Sequence, residues 1–167
     1  DRAAWARAYM YRLRARGSPT NWLPNGRCSV SGSVSSSTAG AEEGPLPVGW
    51  WRWRQDGRRP GVLRADPQMG RDEPGALFAA GVEEGCFGAS VAVVPGTPLV
   101  VEAFAYGGPA FVWIGWKRAG VWNWSLPMPK LWFHLADRGG WRRACDLIEV
   151  PEGADELVVM LCARQRE

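Results

Sequence analysis

Three features of this chain predict an all-β fold, a two-sheet antiparallel β-sandwich. Its 167 residues include 21 Gly and 13 Pro, spread between short apolar runs, which is the pattern of many short strands and turns. Runs rich in Val, Ile, Phe, Tyr and Trp recur at intervals of roughly 8–15 residues and end in Gly or Pro, the spacing of sandwich strands. After residue 17 no stretch carries the apolar period of a long amphipathic helix. The length suits one domain with a sizeable core, and a hydrophobic content of 46% separates the chain from disordered ones.

The elements follow in order. Residues 1–13, DRAAWARAYMYRL, fit two structures. Trp5, Tyr9 and Leu13 lie four apart with Gly17 at a helix C′ position. As a strand, the same residues put Trp5, Arg7, Tyr9, Tyr11 and Leu13 on one face, with Ala4, Ala6, Ala8 and Met10 on the other. Local physics slightly favours the helix. GSPTNWLPNG (17–26) is a turn-rich connector, a short strand is expected at 27–30, and a Ser/Gly/Pro-rich loop runs to residue 48. GWWRWRQ (49–55) alternates and is aromatic, so it reads as a strand. DGRRPG (56–61) is a turn before a short apolar stretch at 61–65. Strands are then expected at 75–81, 86–96, 98–108, 109–120, 130–136, 141–154 and 155–165.

Charge narrows the function classes. The formal net charge is only +3, too little for the basic groove that nucleic acid requires. Lys117 and Lys130 are the only lysines, so Arg carries the positive charge. Arg interleaved with Trp, as in WWRWR, suits an aromatic surface stiffened by guanidinium planes; a codon-usage bias explains the Arg excess equally well. No signal-type segment and no 18-residue apolar run is present, so membrane insertion is not expected. The first residue is Asp rather than Met, consistent with a processed form or a piece of a longer chain. Cys28, Cys86, Cys145 and Cys162 lack metal-type spacing. Two disulfides, their pairing open, and four buried thiols fit equally well.

From about Asn25 to Ala163 the chain resembles the jelly-roll carbohydrate-binding modules attached to bacterial glycoside hydrolases and polysaccharide lyases. LPNG (23–26) resembles the start of the first strand and GWWRW (49–53) the Gly-Trp opening of the next element. CFGASVAVVPG followed by LVVEAFAY resembles the paired strands around a Val-Pro-Gly turn, and VWIGW the apolar strand ending in Trp. GGWRRACDLIEVPEGADELVVML resembles the last two core strands. Such modules continue into one more strand, which this sequence lacks after Glu167, whereas AWARAYMYRL at the front resembles it. The resemblance therefore overrides the local helix preference and implies a jelly roll whose last strand stands first. It divides the chain into an assembly strand within 1–16 (Trp5, Ala6, Ala8, Tyr9, Met10, Tyr11), a connector over 17–24, and the domain proper over 25–167. That strand is expected beside the one beginning near Asn25 or the one ending near Cys162, in this chain or in a neighbour. The carboxylates with which the family commonly holds a structural calcium are replaced here by Ala6, Arg7 and Ser29, so no metal and no cofactor is expected.

Catalytic signals are weak. His134 is the single histidine, and a lone His in an apolar segment is usually a structural residue. No nucleophile elbow, phosphate loop or zincin motif is present. Asp146 and Glu149, three apart, point to opposite faces of a strand rather than pairing for glycosidic chemistry. The 11 tryptophans are more informative, because an indole plane matches the C–H face of a sugar ring. By resemblance Trp50 and Trp116 belong to the core. Trp51, Trp53, Trp113, Trp122 and Trp124 are the exposed candidates, with Trp132 in reserve. The expected function is a non-catalytic, extracellular or cell-surface module that binds polysaccharide through these residues. The alternative is a structural subunit of an extracellular polymer, assembled from identical copies by donation of the opening strand.

Overall fold

The computed structural model describes residues 44–55, 61–72 and 75–164. Within them the regular structure is all strand, apart from a 3-10 turn at Arg138–Gly140. The strands are β1 (Trp50–Arg54), β2 (Val62–Asp66), β3 (Ala76–Ala80), β4 (Glu84–Ala92), β5 (Pro98–Tyr106), β6 (Ala110–Arg118), β7 (Val121–Trp122), β8 (Lys130–Trp132), β9 (Leu135–Ala136), β10 (Trp141–Glu149) and β11 (Glu156–Arg164).

The largest sheet has the order β1-β4-β11-β6-β7, with β8 also paired to β6; β5-β10-β9 form a second sheet and β2-β3 a separate hairpin. Every pairing among them is antiparallel. Strand alternation in β6 (AFVWIGWKR) and β11 (ELVVMLCAR) sends Val112, Ile114, Trp116, Leu157 and Val159 to one side. There they pack with Val101 of β5 and with Ala144 and Ile148 of β10, so the two larger sheets share an apolar layer. At the β1 end the core continues as Leu46, Trp50, Leu63, Val82, Phe87 and Ala89. Arg52 follows Trp50 on this inner side of β1, and its guanidinium donates to the carbonyls of Leu63 (2.8 Å) and Gly44 (2.6 Å). Those bonds answer the polar demand of a cation placed near the core.

One expected strand, 130–136, is divided. β8 joins β6 in the large sheet while β9 joins β10 in the second. The chain changes sheet at Phe133, which is buried in the shared apolar layer. A single straight strand cannot belong to both sheets, so the ladder breaks there. The strand expected at 27–30 and the opening strand lie outside the described residues. β11, which ends near Cys162, is flanked by β4 and β6 along Glu156–Ala163 and offers no free edge there.

Candidate functional site, a tryptophan-walled cavity

The outer face of the large sheet can be read from its registers. One row runs Trp53, Cys86, Cys162, Phe111, Trp132 across β1, β4, β11, β6 and β8. The next runs Trp51, Gly88, Met160, Trp113, Lys130 over the same strands. Further along, Glu156, Lys117 and Trp122 align across β11, β6 and β7. The rows thus place five tryptophans of four strands on one sheet face, and Trp124 follows in the loop after β7, so that six tryptophans scattered between residues 51 and 132 are gathered in one region.

Five of them, Trp51, Trp53, Trp113, Trp122 and Trp124, wall a cavity of about 480 Å³. Cys86, Met160 and Cys162, all buried, form its floor, and Glu84, Lys117 and Met128 complete the lining. Trp132 lies on the same face but outside the cavity, tilted against Phe111 with ring centroids 5.1 Å apart.

Two glycines make room for the rings. A Cβ on Gly88 would fall inside the Trp51 indole, and a Cβ on Gly115 would strike the Trp122 ring and come within 3.2 Å of the Met128 methyl. Glycine inside a strand permits such close approach of a ring to the backbone. Trp122 and Trp124 then stack on each other, centroids 5.1 Å apart at an interplanar angle of 17°. The loop that carries Trp124 is tied down from several sides. Trp113 donates its indole N–H to the Met128 carbonyl (3.2 Å), Trp116 to that of Pro127 (2.8 Å), and the Asn123 amide donates to the Gly153 carbonyl (3.2 Å).

The charges around the rings are held in place. The Lys117 ammonium bonds the Glu156 carboxylate at 3.0 Å and sits 5.6 Å from the Trp122 centroid. The Lys130 ammonium lies over Trp113 and Phe111, 5.0 and 5.1 Å from their centroids, within cation–π range. Below the rings Cys86 and Cys162 stand opposite each other, and the Cys162 thiol donates to the Met160 carbonyl at 3.8 Å. The neighbouring thiol lowers the Cys86 pKa and, with burial, raises that of Cys162 far above the ordinary thiol range.

The other residues singled out in the sequence fall elsewhere. Trp50 and Trp116 are 3% and 2% exposed and belong to the core. His134 stands exposed between β8 and β9, its Nδ1 2.7 Å from the Trp132 carbonyl oxygen. Asp146 and Glu149 fall on opposite faces of β10. Cys86, Cys145 and Cys162 are buried, Cys86 and Cys162 as free thiols, while Cys28 and the strand residues Trp5, Ala6, Ala8, Tyr9, Met10 and Tyr11 lie outside the described residues. Sequence reasoning missed Gly88, Gly115 and the sulfur-bearing floor. A signal was present in β4, where Cys86, Gly88 and Ser90 form a small-residue face opposite Phe87, Ala89 and Val91.

No protein-family model matches this sequence, and comparison with curated proteins found no match. Among solved structures, the chain is similar to the enzymatically active domain of tailspike protein 4 from bacteriophage CBA120. The TM-score is 0.58 at 12% identity, over 71% of this chain and 18% of that one. The likeness is one of β-rich fold, and this chain spans less than a fifth of the tailspike chain's length.

Proposed function

We propose that this chain is a non-catalytic carbohydrate-binding module of the jelly-roll type, acting outside the cell or at its surface, and that a polysaccharide binds in the tryptophan-walled cavity. One observation carries the reading. Five tryptophans from three stretches of the chain, 51–53, 113 and 122–124, converge on a single cavity on the sheet face turned away from the main apolar layer. Trp51, Trp113 and Trp122 also pack there on a smaller buried cluster of Cys86, Phe111, Val158, Met160 and Cys162, while Trp53 and Trp124 stay largely in solvent. Large aromatics left partly in solvent bind flat, weakly polar surfaces, and the C–H faces of sugars are such surfaces. The cavity's volume falls in the usual range of ligand sites. Glu84 and Lys117 at its edge supply hydrogen-bonding groups for hydroxyls. Among the described residues lining the cavity, Glu84 is the single carboxylate, whereas most glycoside hydrolases use two. The fold-level likeness to an enzymatically active tailspike domain keeps catalysis within the scope of the test.

The test is affinity electrophoresis and calorimetry against a panel of neutral and acidic polysaccharides, with a reducing-end assay alongside. The expected result is retardation by at least one polysaccharide, a change in tryptophan fluorescence on binding, and no release of reducing ends. Absence of binding across the panel overturns the glycan reading, and release of reducing ends overturns the non-catalytic one.

A further inference from the structure

The floor of the cavity has a chemistry that glycan binding does not require. Four sulfur-bearing residues line it, Cys86, Cys162, Met160 and Met128. Cys86 and Cys162 are directly opposed in the antiparallel pairing of β4 and β11. The type of that pair follows from the ladder. The Val93 amide donates to the Asp155 carbonyl at 2.9 Å, and these two residues continue the register that places Ala92 opposite Glu156. Position 93 opposite 155 is therefore a hydrogen-bonded pair. Because the two kinds alternate along an antiparallel ladder, 86 opposite 162 is a non-hydrogen-bonded pair, the kind that brings side chains closest. Both thiols emerge on the cavity side. Met160, two residues before Cys162 on the same face, is the diagonal neighbour of Cys86, a position that long side chains span.

We propose that Cys86, Cys162 and Met160 form a binding site for a soft monovalent metal ion, copper(I) or silver(I), beneath the tryptophans. Thiolate and thioether donors select such ions over harder ones. Among the described residues no group of three His, Cys, Asp or Glu converges, so the four-ligand nitrogen and sulfur set of structural zinc is missing. The surroundings suit the ion. The Trp51 indole is laid over Gly88 beside the floor and Trp53 stands across from Cys86, so π faces attractive to a cation border the sulfurs and limit water. Binding converts two thiols and one monovalent cation into a bis-thiolate complex with a residual charge of minus one. Two protons pass to solvent and no electron is transferred. The Lys130 ammonium, over Trp113 in the adjoining row, offsets that charge. The ion enters through the cavity, which the sulfurs line.

The experiment uses the full reduced chain under anaerobic conditions, titrated with silver(I), and with copper(I) in competition with a chromophoric copper(I) chelator. Quenching of tryptophan fluorescence is expected to saturate at one equivalent. Silver(I) at that ratio should protect Cys86 and Cys162 together from alkylation, as read by mass mapping, which separates them from Cys28 and Cys145. Cys162→Ser should lower copper(I) affinity by roughly 100-fold or more, since even an outer-shell partner is worth up to about that much. Met160→Leu, a volume-conserving change that cores tolerate, should lower it about tenfold, and its thermal midpoint checks that the fold is intact. Three results overturn the site: protection of other cysteines instead of this pair, copper(I) affinity unchanged in both variants, or a reduced protein that retains no metal while the pair merely oxidises to a disulfide, which the spacing also permits.

Discussion

Trp50 and Trp51 are neighbours in the chain and opposites in the fold. Trp50 points inward, is 3% exposed and packs with Leu63, Phe87 and Ala89. Trp51 points outward, is half-buried and lies flat over Gly88. The same contrast separates Trp116 from Trp113 on β6. Side-chain chemistry is identical within each pair, so what differs is the layer that covers it. The inner face of the large sheet meets a second sheet, which removes Trp116 from water. Over the outer face, tryptophans cover one another and leave Trp53 and Trp124 51% and 67% exposed. Beneath them Trp51, Trp113 and Trp122 pack on a small buried cluster of Cys86, Phe111, Val158, Met160 and Cys162, and the indole surface left in solvent is what the proposed recognition role rests on.

The largest expected effect tests the inner half of that comparison. Trp50→Ala should cost about 3–5 kcal/mol of stability, as other large core truncations do, whereas Trp51→Ala should cost far less. Urea unfolding of the two variants measures the difference. Equal losses would mean that both faces are core and that the cavity is a packing defect.

The alternation that separates these faces was legible in the sequence, and so was the position along the chain of most strands. GWWRWRQ gave β1, and the Gly and Pro punctuation bounded β5, β6, β10 and β11. What the sequence did not show is register. Trp51 meets Gly88, and Cys86 meets Cys162, only because residues tens of positions apart are paired in a particular alignment. Local patterning fixes which face a side chain takes, but not its cross-strand neighbour. The same limit hid the split of 130–136, since the sheet that each half joins is decided by β6 and β10 rather than by KLWFHLA itself.

A second way to break the comparison is to refill the space the outer face leaves open. Gly88→Ala places a methyl where the Trp51 ring lies, so the ring must lift from the sheet. Overpacking of this kind costs about 1–3 kcal/mol, and glycan binding should weaken with it. Ala89→Gly, on the opposite face of the same strand, leaves the ring in place and should spare binding; loss of binding in that variant would show that stability alone governs it.

Trp122→Ala sharpens the functional side. The indole stacks on Trp124 and covers Gly115 without entering the inner core. Its removal should weaken polysaccharide binding by about 1.4 kcal/mol, a tenfold rise in Kd, with a smaller change in stability. Calorimetry paired with thermal unfolding separates the two. A binding loss no greater than that of Trp132→Ala, on the same face but outside the cavity, would dissolve the distinction between cavity and surface.

The smallest effect concerns the turn that delivers Trp122 to this face. Arg118 and Val121 are paired across the two-residue link Ala119-Gly120, and both link residues have positive φ, 49° and 77°. Such a conformation suits Gly but burdens Ala, whose Cβ crowds the following carbonyl. Asn tolerates it, and Asn-Gly is the favoured pair in hairpin turns of this kind. Ala119→Asn should therefore raise stability by about 0.5–1 kcal/mol, part of the left-handed penalty, visible as a higher thermal midpoint. The Ala119 amide donates to the Asp155 carboxylate at 2.9 Å, and because the substitution leaves the backbone N–H in place, that bond should persist. Asp155→Ala is the complementary change and should cost about 1 kcal/mol by removing the acceptor. If Ala119→Asn raises stability without altering polysaccharide affinity, the turn only presents Trp122 and takes no part in recognition. A lower midpoint would mean that the Asn side chain competes with the backbone for Asp155, and that this carboxylate, rather than the backbone strain, sets the stability of the β6–β7 turn.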